Sequence, residues 1–331
     1  MRLAVPLAID PAALEGWRPD LSRVDFGGDT MGTTWSVRVA VPTGFDLSPL
    51  KAAISDCLEN ILDQMSHWRA HSLLGRFNRA PAGSWYVLPP EFASVMEAAF
   101  VVADRSGSAF DPAIGELVNL WGFGPPEVHG TPSAEEISAA LARSGWCGLD
   151  YHPPTRRLRQ PGGVHLDLSG IAKGYAVDAV MGVMRDHGCR HCLVEIGGEL
   201  AGAGIRPDGD PWWVDLETPA QGFVPVRVAL HQLAVATSGD YVRGRHTINP
   251  RTGYPVAHAA VISVIHDCAM LADAWATALS VLSPPEMQRL AAAQSLMVRA
   301  LLREGAGLSE WISPALEEMI GEGPETGNAT A

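Results

Sequence analysis

Apolar residues recur at helical spacing in several parts of the chain. In residues 48–66, Leu50, Ile54 and Leu58 return every three to four positions, which is typical of an amphipathic helix. The same spacing from Ile171 to Gly188 predicts a second helix. The other predicted helices span 90–105, 131–142 and 271–279. The 131–142 helix is predicted to be capped by Thr131 or Ser133, with Pro132 in its first turn.

Alternating and β-branched stretches predict strands between these helices. A glycine turn at Gly27–Gly28 leads to a strand that begins near Thr33, and a short strand precedes Ser169. The pair Gly197–Gly198 is predicted to interrupt one strand over 193–200. Further strands are predicted at 213–216, 224–230 and 233–237, so the second half of the chain is rich in strands.

Composition predicts a soluble globular protein. The chain has 331 residues, of which 47% are hydrophobic and 18% charged, enough for one large domain or two intimate ones. A formal net charge of −13 argues against nucleic acid as a partner. Every long apolar run is broken by Asp, Gly or Pro, so we expect no transmembrane segment.

The termini and the cysteines add expectations about organisation. Residues 1–22 are interpreted as a leader of undetermined structure, without a secretory signal, and 317–331 as a disordered tail. We therefore expect a cytoplasmic protein; an export signal missing from this chain would make it periplasmic or membrane-associated. Five cysteines do not suggest a disulfide framework. Cys189 and Cys192 have redox or zinc spacing but lack a second ligand pair, which favours two half-buried structural thiols.

The stretch from His165 to Ala176 outlines a ligand site. A predicted helix begins there beside Asp167 and Lys173. Free N–H groups and the positive end of a helix dipole suit the phosphates of a ligand, and Asp167 can hold a polar group or a metal. The alternative interpretation is a capped strand–helix junction with a solvated lysine.

Asp273 and Thr277 lie one turn apart on one face of the predicted 271–279 helix. Carboxylate and hydroxyl oxygens are hard ligands that suit magnesium. The alternative is a carboxylate in the first turn and a hydroxyl bonded back to its own helix.

His246 is presented on a loop, because the turn formers Asn249-Pro250 and Thr252-Gly253 follow it. With Arg251 nearby, it is a candidate general base beside an anion. A structural histidine is the alternative.

Taken in order, these stretches resemble the ApbE family of FAD:protein FMN transferases over residues 26–313. The motifs that carry the resemblance are MGTTWSV, MSHW with SLLGRFN, FDPAIG with LWGFG, HLDLSGIAKGYAVD, VEIGGEL, TSGDYVR, HTINPRTGYPV and LADAWATAL. Each motif is modest alone, but the ordered set is highly specific. The resemblance implies an α+β fold with mixed and antiparallel sheets flanked by helices in two closely joined lobes, and it makes 23–316 the flavin transferase domain.

The resemblance also implies an activity and a set of site residues. The family transfers FMN from FAD to a threonine hydroxyl of a target flavoprotein, with Mg²⁺ required and AMP released. The metal would be held by the side chains of Asp273 and Thr277 and by the backbone carbonyl of Gly170, and His246 matches the general base. FAD would contact Met31, Trp68, Ala109, Phe110, Asp111, Asp167, Lys173 and Ile248. Membrane-associated electron-transfer flavoproteins are the implied acceptors.

Three positions depart from the family pattern. Asn249 replaces an aspartate and keeps the turn without its charge, and Trp68 replaces a tyrosine and loses the phenol hydroxyl. Residues 72–75 lack the usual acidic residue. Two other functions use the same residues: a Mg²⁺-dependent FAD pyrophosphatase that releases FMN and AMP, and a FAD-binding carrier without turnover.

Overall fold

A computed structural model describes residues 1–128, 130–240, 244–305 and 307–321. Its α-helices are α1 (Ser48–Met65), α2 (Leu73–Asn78), α3 (Pro90–Arg105), α4 (Gly115–Leu120), α5 (Ala134–Ala142), α6 (Ala172–Asp186), α7 (Ala269–Val281), α8 (Pro284–Ala293) and α9 (Pro314–Met319). Its strands are β1 (Arg2–Ala4), β2 (Ser22–Thr30), β3 (Thr33–Val41), β4 (Trp85–Val87), β5 (Asp150–His152), β6 (Arg157–Arg159), β7 (Cys192–Ile196), β8 (Glu199–Ala203), β9 (Trp212–Asp215), β10 (Val226–Leu230), β11 (Leu233–Gly239), β12 (Ala259–His266), β13 (Met297–Glu304), β14 (Gly307–Ile312) and β15 (Ile320–Gly321).

The strands form three sheets. The largest is an antiparallel sheet in the order β14-β13-β12-β11-β8-β7-β3-β2. A second has the order β15-β1-β10-β9, in which β1 and β10 run parallel and the other neighbours run antiparallel. A third is the antiparallel sheet β4-β6-β5. The expected α+β class with mixed and antiparallel sheets is confirmed.

Both faces of the large sheet are buried, because helices cover one face and the second sheet covers the other. Val194 on β7 packs into the main core with Ile54 of α1 and Val177 of α6. Its neighbour Leu193 belongs to the other core, with Trp212 of β9. Successive strand residues point to opposite faces, so one strand supplies both cores. Each such buried side chain stabilises the fold by about 2 kcal/mol.

Helices α6 and α7 are held together at the start of α7. The Asp178 carboxylate on α6 accepts the N–H groups of Ala269 and Met270, at 2.9 and 2.8 Å. The first N–H groups of a helix have no partner within it, so this carboxylate caps α7 from its neighbour. The contact fixes where residues one turn further along α7 meet α6.

The predicted helices are confirmed, with small shifts at their ends. Ser133 caps α5 and forms a capping box with Glu136, so Pro132 lies before the helix rather than in its first turn. The prediction of a short strand before Ser169 is wrong.

Extended residues 165–168 are instead bonded to loops. Asn78 donates its amide to Leu166 O (2.9 Å) and accepts from Leu166 N (2.8 Å). Gly115 N donates to His165 O, and Asp167 N donates to Pro112 O, both at 2.8 Å. A side chain and two loops therefore satisfy backbone groups that would otherwise need a sheet partner.

Two glycine pairs also differ from prediction. Gly27 and Gly28 lie within β2, and the turn before β3 is made by Met31 and Gly32, both with positive φ. Gly197 and Gly198 form the turn of a hairpin, since Ile196 of β7 pairs directly with Glu199 of β8.

The terminal segments carry regular structure. The predicted leader includes β1, which lies between β10 and β15 in the second sheet. The predicted tail boundary at residue 317 falls inside α9, and ordered structure continues to Gly321; residues 322–331 lie outside the described residues. Within the described ranges, no helix is both long and apolar enough to cross a bilayer.

Cys189 lies in the connection between α6 and β7, and Cys192 is the first residue of β7. Both thiols are free, and both side chains are buried, more deeply than the half-buried thiols predicted. Burial raises the pKa of Cys192 to about 12, with the Cys189 thiol adding to the shift. A thiol that resists ionisation is neither a good nucleophile nor a ready metal ligand, which supports the structural interpretation.

Candidate active site

Asp273 is a buried carboxylate on α7, one turn beyond the first residues of that helix. Its Oδ2 accepts the backbone N–H of Gly174 on α6 at 3.0 Å. Burial raises the pKa of Asp273, while the Lys173 charge and the Gly174 hydrogen bond oppose the shift. Because α7 begins at Ala269, the alternative of a first-turn carboxylate does not apply.

Lys173 forms an ion pair with Glu199 at the start of β8. Glu199 is only 1% exposed, so the Lys173 charge is paired with a buried carboxylate. The alternative interpretation, in which this lysine is merely solvated, does not apply. Burial raises the pKa of Glu199 to about 7; the Lys173 ammonium opposes this shift and the Asp273 carboxylate adds to it. Oε2 of Glu199 is buried, and the described residues offer it no hydrogen-bond partner.

Thr277 and Gly170 are in contact. A Cβ placed on Gly170 would lie 2.8 Å from the Thr277 hydroxyl oxygen, so the glycine backbone approaches as closely as it does only because it has no side chain. The three predicted metal ligands therefore lie at one junction, where the loop before α6 and the first turn of α6 meet one face of α7. They supply a carboxylate, a hydroxyl and a backbone carbonyl.

Asp167 is buried five residues before the first residue of α6. Its Oδ1 accepts Ser169 N at 2.8 Å and lies 3.8 Å from Nδ1 of His67. The His67 ring packs on Trp68, with ring centroids 5.2 Å apart, and the Trp68 residue is 62% exposed. The exposed indole offers a flat apolar surface that suits a heteroaromatic ring, and His67 connects it to the buried carboxylate.

The loop after α3 carries three of the predicted FAD contacts. Ala109 and Phe110 are buried, and both carboxylate oxygens of Asp111 accept backbone N–H groups, from Ala113 at 2.8 Å and Trp146 at 3.1 Å. Burial raises the pKa of Asp111 to about 6, opposed by these two hydrogen bonds. The Asp111 side chain shapes the loop.

His246 is partly exposed on the loop that follows β11. Its Nδ1 lies 2.9 Å from Gly244 O, and because a carbonyl can only accept, Nδ1 carries the proton of the neutral ring. Nε2 is then the nitrogen that can take a proton. Residues 241–243 of the TSGDYVR motif lie outside the described residues.

Arg251 anchors the same loop to the end of α3. Its guanidinium donates to Ser106 O at 3.0 Å and to Gly107 O at 2.9 Å. Ile248 is buried in a small core with Leu117 of α4 and Ile137 of α5. The loop of His246 is thus joined to the loop of residues 109–111.

Met31 lies at the turn between β2 and β3 with φ 51°, and it packs against the main core. Two residues later, Thr33 lies under the β7–β8 turn: a Cβ on Gly197 would be 2.8 Å from Thr33 Cγ2 and 3.5 Å from Lys173 Cδ. This turn therefore connects the Met31 segment to Lys173.

Contacts thus join the predicted residues in two groups, Gly170, Lys173, Asp273 and Thr277 around the α6–α7 junction and Asp111, Asp167 and Ile248 around the α3 loop. Glu199, Asn78 and Arg251 were not predicted as site residues. Each stands in a quoted motif, but only the fold reveals its partner.

Comparison with known proteins identifies the family of the chain. The sequence profile described as the ApbE family matches residues 31–302. A Vibrio cholerae protein named FAD:protein FMN transferase is 33% identical over 322 residues, covering 93% of this chain and 96% of that protein.

Solved structures are similar across nearly the whole fold. The flavin transferase ApbE from Vibrio cholerae superposes with a TM-score of 0.85 at 32% identity, covering 90% of this chain and 99% of that one. The apo form of Pseudomonas stutzeri flavinyl transferase ApbE also gives 0.85, at 36% identity, with 92% and 98% covered.

Proposed function

The chain belongs to the ApbE family of flavin transferases, and we propose that it transfers FMN from FAD to a threonine hydroxyl of an acceptor protein, with Mg²⁺ as the required metal. The observation that carries the proposal is the α6–α7 junction, where the Lys173–Glu199 ion pair is followed directly by the hydrogen bond from Gly174 N to the buried Asp273 carboxylate. Relatives of this chain are named FAD:protein FMN transferase, and the reaction in that name is the one that we assign to this site.

The charges of the junction fit a divalent cation. When both buried carboxylates are ionised they exceed the charge of the one ammonium, and buried charge is retained where it is paired or binds a metal. Asp273, the Thr277 hydroxyl and the Gly170 carbonyl are hard oxygen donors of the kind magnesium prefers. No cluster of three His, Cys, Asp or Glu suited to a metal occurs in the described part of the chain, so the hydroxyl and carbonyl are needed to complete the set.

Magnesium bound there would offset the negative charge of the FAD pyrophosphate and of the departing AMP. The residues of the chain then have distinct tasks. Lys173 adds a positive charge at the start of α6, which suits an anionic ligand. Trp68 would stack its exposed indole on a ring system of FAD, and Asp167, to which His67 connects it, would offer a carboxylate.

His246 is proposed to accept the proton of the acceptor threonine. Nε2 is the basic nitrogen, because Nδ1 donates to Gly244 O. As that proton leaves, the threonine oxygen bonds to the FMN phosphorus and the bond from phosphorus to the AMP oxygen breaks. The products are a threonine–FMN phosphoester and AMP, and the histidine returns its proton to solvent.

The test is to incubate the purified protein with FAD and Mg²⁺, with and without a threonine-containing acceptor domain, and to follow AMP and acceptor mass together. One FMN phosphoester gained per AMP released is the expected result. AMP released equally without acceptor, and no mass gained, would establish a FAD pyrophosphatase instead. Bound FAD with neither change would establish a carrier.

The natural acceptor is proposed to be a flavoprotein of a membrane-associated electron-transfer system, and the cytoplasm remains the proposed compartment. Mass spectrometry of cells with and without this protein would test the first proposal by the loss of a threonine-linked FMN. Fractionation of the native source would test the second.

A further inference from the structure

Lys173 forms an ion pair with Glu199 on β8, and the next residue, Gly174, donates its N–H to the buried Asp273 carboxylate. We propose that Glu199 is a positioning residue, which holds and offsets the Lys173 ammonium so that Asp273 stays available to a divalent cation. This inference rests on the metal site proposed above.

The position of Lys173 is the first observation. Its ammonium pairs with Glu199, while the next residue, Gly174, donates its N–H to Asp273 Oδ2 at 3.0 Å, so the lysine backbone lies beside Asp273 and its charge lies at Glu199. An ammonium that moved fully onto Asp273 would neutralise the carboxylate that the metal needs. Ionised Glu199 supplies a competing partner of equal charge.

The placement of Glu199 is the second observation. It is the first residue of β8, paired with Ile196 across the two-glycine turn, so its backbone is fixed in the large sheet. The turn also lies on the lysine stem, since a Cβ on Gly197 would be 3.5 Å from Lys173 Cδ. Lysine has a long flexible side chain, and here a rigid hairpin sets where its charge lies.

The cost of this arrangement is the third observation. Oε1 of Glu199 pairs with Lys173, whereas buried Oε2 finds no hydrogen-bond partner in the described ranges. A buried carboxylate with an unsatisfied oxygen destabilises the fold. Such a group is expected at a functional site, where the arrangement of charge matters more than stability.

The experiment measures Mn²⁺ binding to the metal-free full chain without FAD, by calorimetry and by the electron paramagnetic resonance signal of free Mn²⁺. Binding is measured at about pH 8, above the pKa of about 7 that burial gives Glu199, so that the trio of Asp273, Glu199 and Lys173 has a net charge of −1. Glu199→Gln makes it zero with little change in shape, so we expect Mn²⁺ affinity to fall about tenfold or more. Lys173→Met makes it −2, and we expect tighter binding than in the unaltered protein.

The double variant Glu199→Gln/Lys173→Met is the decisive comparison. It removes the ammonium that Glu199→Gln releases and restores a net charge of −1, so affinity should return to within about threefold of the unaltered protein. A merely structural role for Glu199 predicts no such rescue. Circular dichroism and thermal melting check that each variant folds.

Two results would overturn the inference alone: Glu199→Gln binding Mn²⁺ as tightly as the unaltered protein, or the double variant binding no better than Glu199→Gln. If Glu199→Gln fails to fold, Lys173→Met decides, and binding no tighter than the unaltered protein refutes the inference. Failure of the metal site itself looks different. The unaltered protein would then bind no Mn²⁺, or Asp273→Ala would bind it equally well, and the inference would fall with the site.

Discussion

Gly174 in α6 donates its backbone N–H to the Asp273 carboxylate in α7, with 3.0 Å between N and Oδ2. The two helices can approach this closely because residue 174 has no side chain: a Cβ there would lie 2.2 Å from Ala269 O and 2.8 Å from Asp273 Cβ. The position of a site carboxylate therefore depends on a glycine in the neighbouring helix.

Gly174→Ala should force α6 and α7 apart. We expect the free energy of unfolding to fall by about 2–3 kcal/mol, because the backbone of α7 cannot rotate away as a side chain could. Gly182→Ala in the same helix is the control, since its Cβ would meet only the end of Arg185 at 3.9 Å. That change should stabilise by about 0.5–1 kcal/mol through helix propensity. Urea unfolding measures both, and equal effects would contradict the packing argument.

Asp273→Asn and Thr277→Val test the metal ligands with little change in shape. We expect Mg²⁺-dependent AMP release to fall by about 100-fold or more for Asp273→Asn. Replacing a residue that only hydrogen-bonds to a metal ligand already lowers metal affinity or activity by roughly 10–100-fold. Thr277→Val should raise the Mg²⁺ concentration needed for half-maximal rate. Asp267→Asn is a control at an exposed carboxylate just before α7. A folded Asp273→Asn protein with full activity would refute the metal assignment.

His246→Ala should slow FMN transfer and leave FAD binding intact. A general base contributes roughly 10²–10⁴ to a rate, so a loss of at least about 100-fold is expected in single-turnover measurements at saturating FAD. His71→Ala provides the comparison, because that imidazole is exposed beside Asp63 on the surface. If His246→Ala instead abolishes FAD binding, the residue holds the cofactor or the loop rather than the proton.

The buried Asp111 carboxyl should make the free energy of unfolding depend on pH. Burial raises its pKa to about 6, so between about pH 4 and 6 the folded state binds a proton that the unfolded state has lost. The stability that this proton contributes is complete at low pH and is lost as pH rises through 6. About two pKa units correspond to roughly 3 kcal/mol.

Asp111→Asn cannot titrate. Relative to the unaltered protein it should therefore gain up to about 3 kcal/mol between pH 4 and 7, on top of a constant offset from the amide facing Trp146 N. Urea unfolding of both proteins at several pH values measures the difference. Parallel curves would show that Asp111 ionises in the folded state as it does in the unfolded chain.

The sequence predicted the helices well because their apolar faces are periodic and local. Residues 165–168 were mistaken for a strand, since an extended apolar segment looks the same whether its partner is a strand or the amide of Asn78. The glycines of β2 and of the β7–β8 turn were ambiguous for a similar reason. A glycine permits several backbone conformations, and the partner strand decides between them.

The candidate site was predicted as individual residues but not as a connected structure. Lys173 and Asp273 were identified from their positions on helices, whereas Glu199 and Arg251 matter because of partners 26 and more than 140 positions away. No periodicity marks such pairs. Burial, which shifts the pKa of Glu199 and Asp111, is likewise a property of the packed fold.

The second sheet has a consequence for folding during synthesis. Leu3 of β1 pairs with Gly321 of β15, and Arg2 pairs with Val226 of β10. On the ribosome, β1 emerges before β10 and has no strand to join until β10 is made, and the edge beyond it stays open until residue 321 has left the exit tunnel. The hairpin of β2 and β3 joins residues that are close in sequence and can form early, whereas the second sheet closes only after residue 321 has been made.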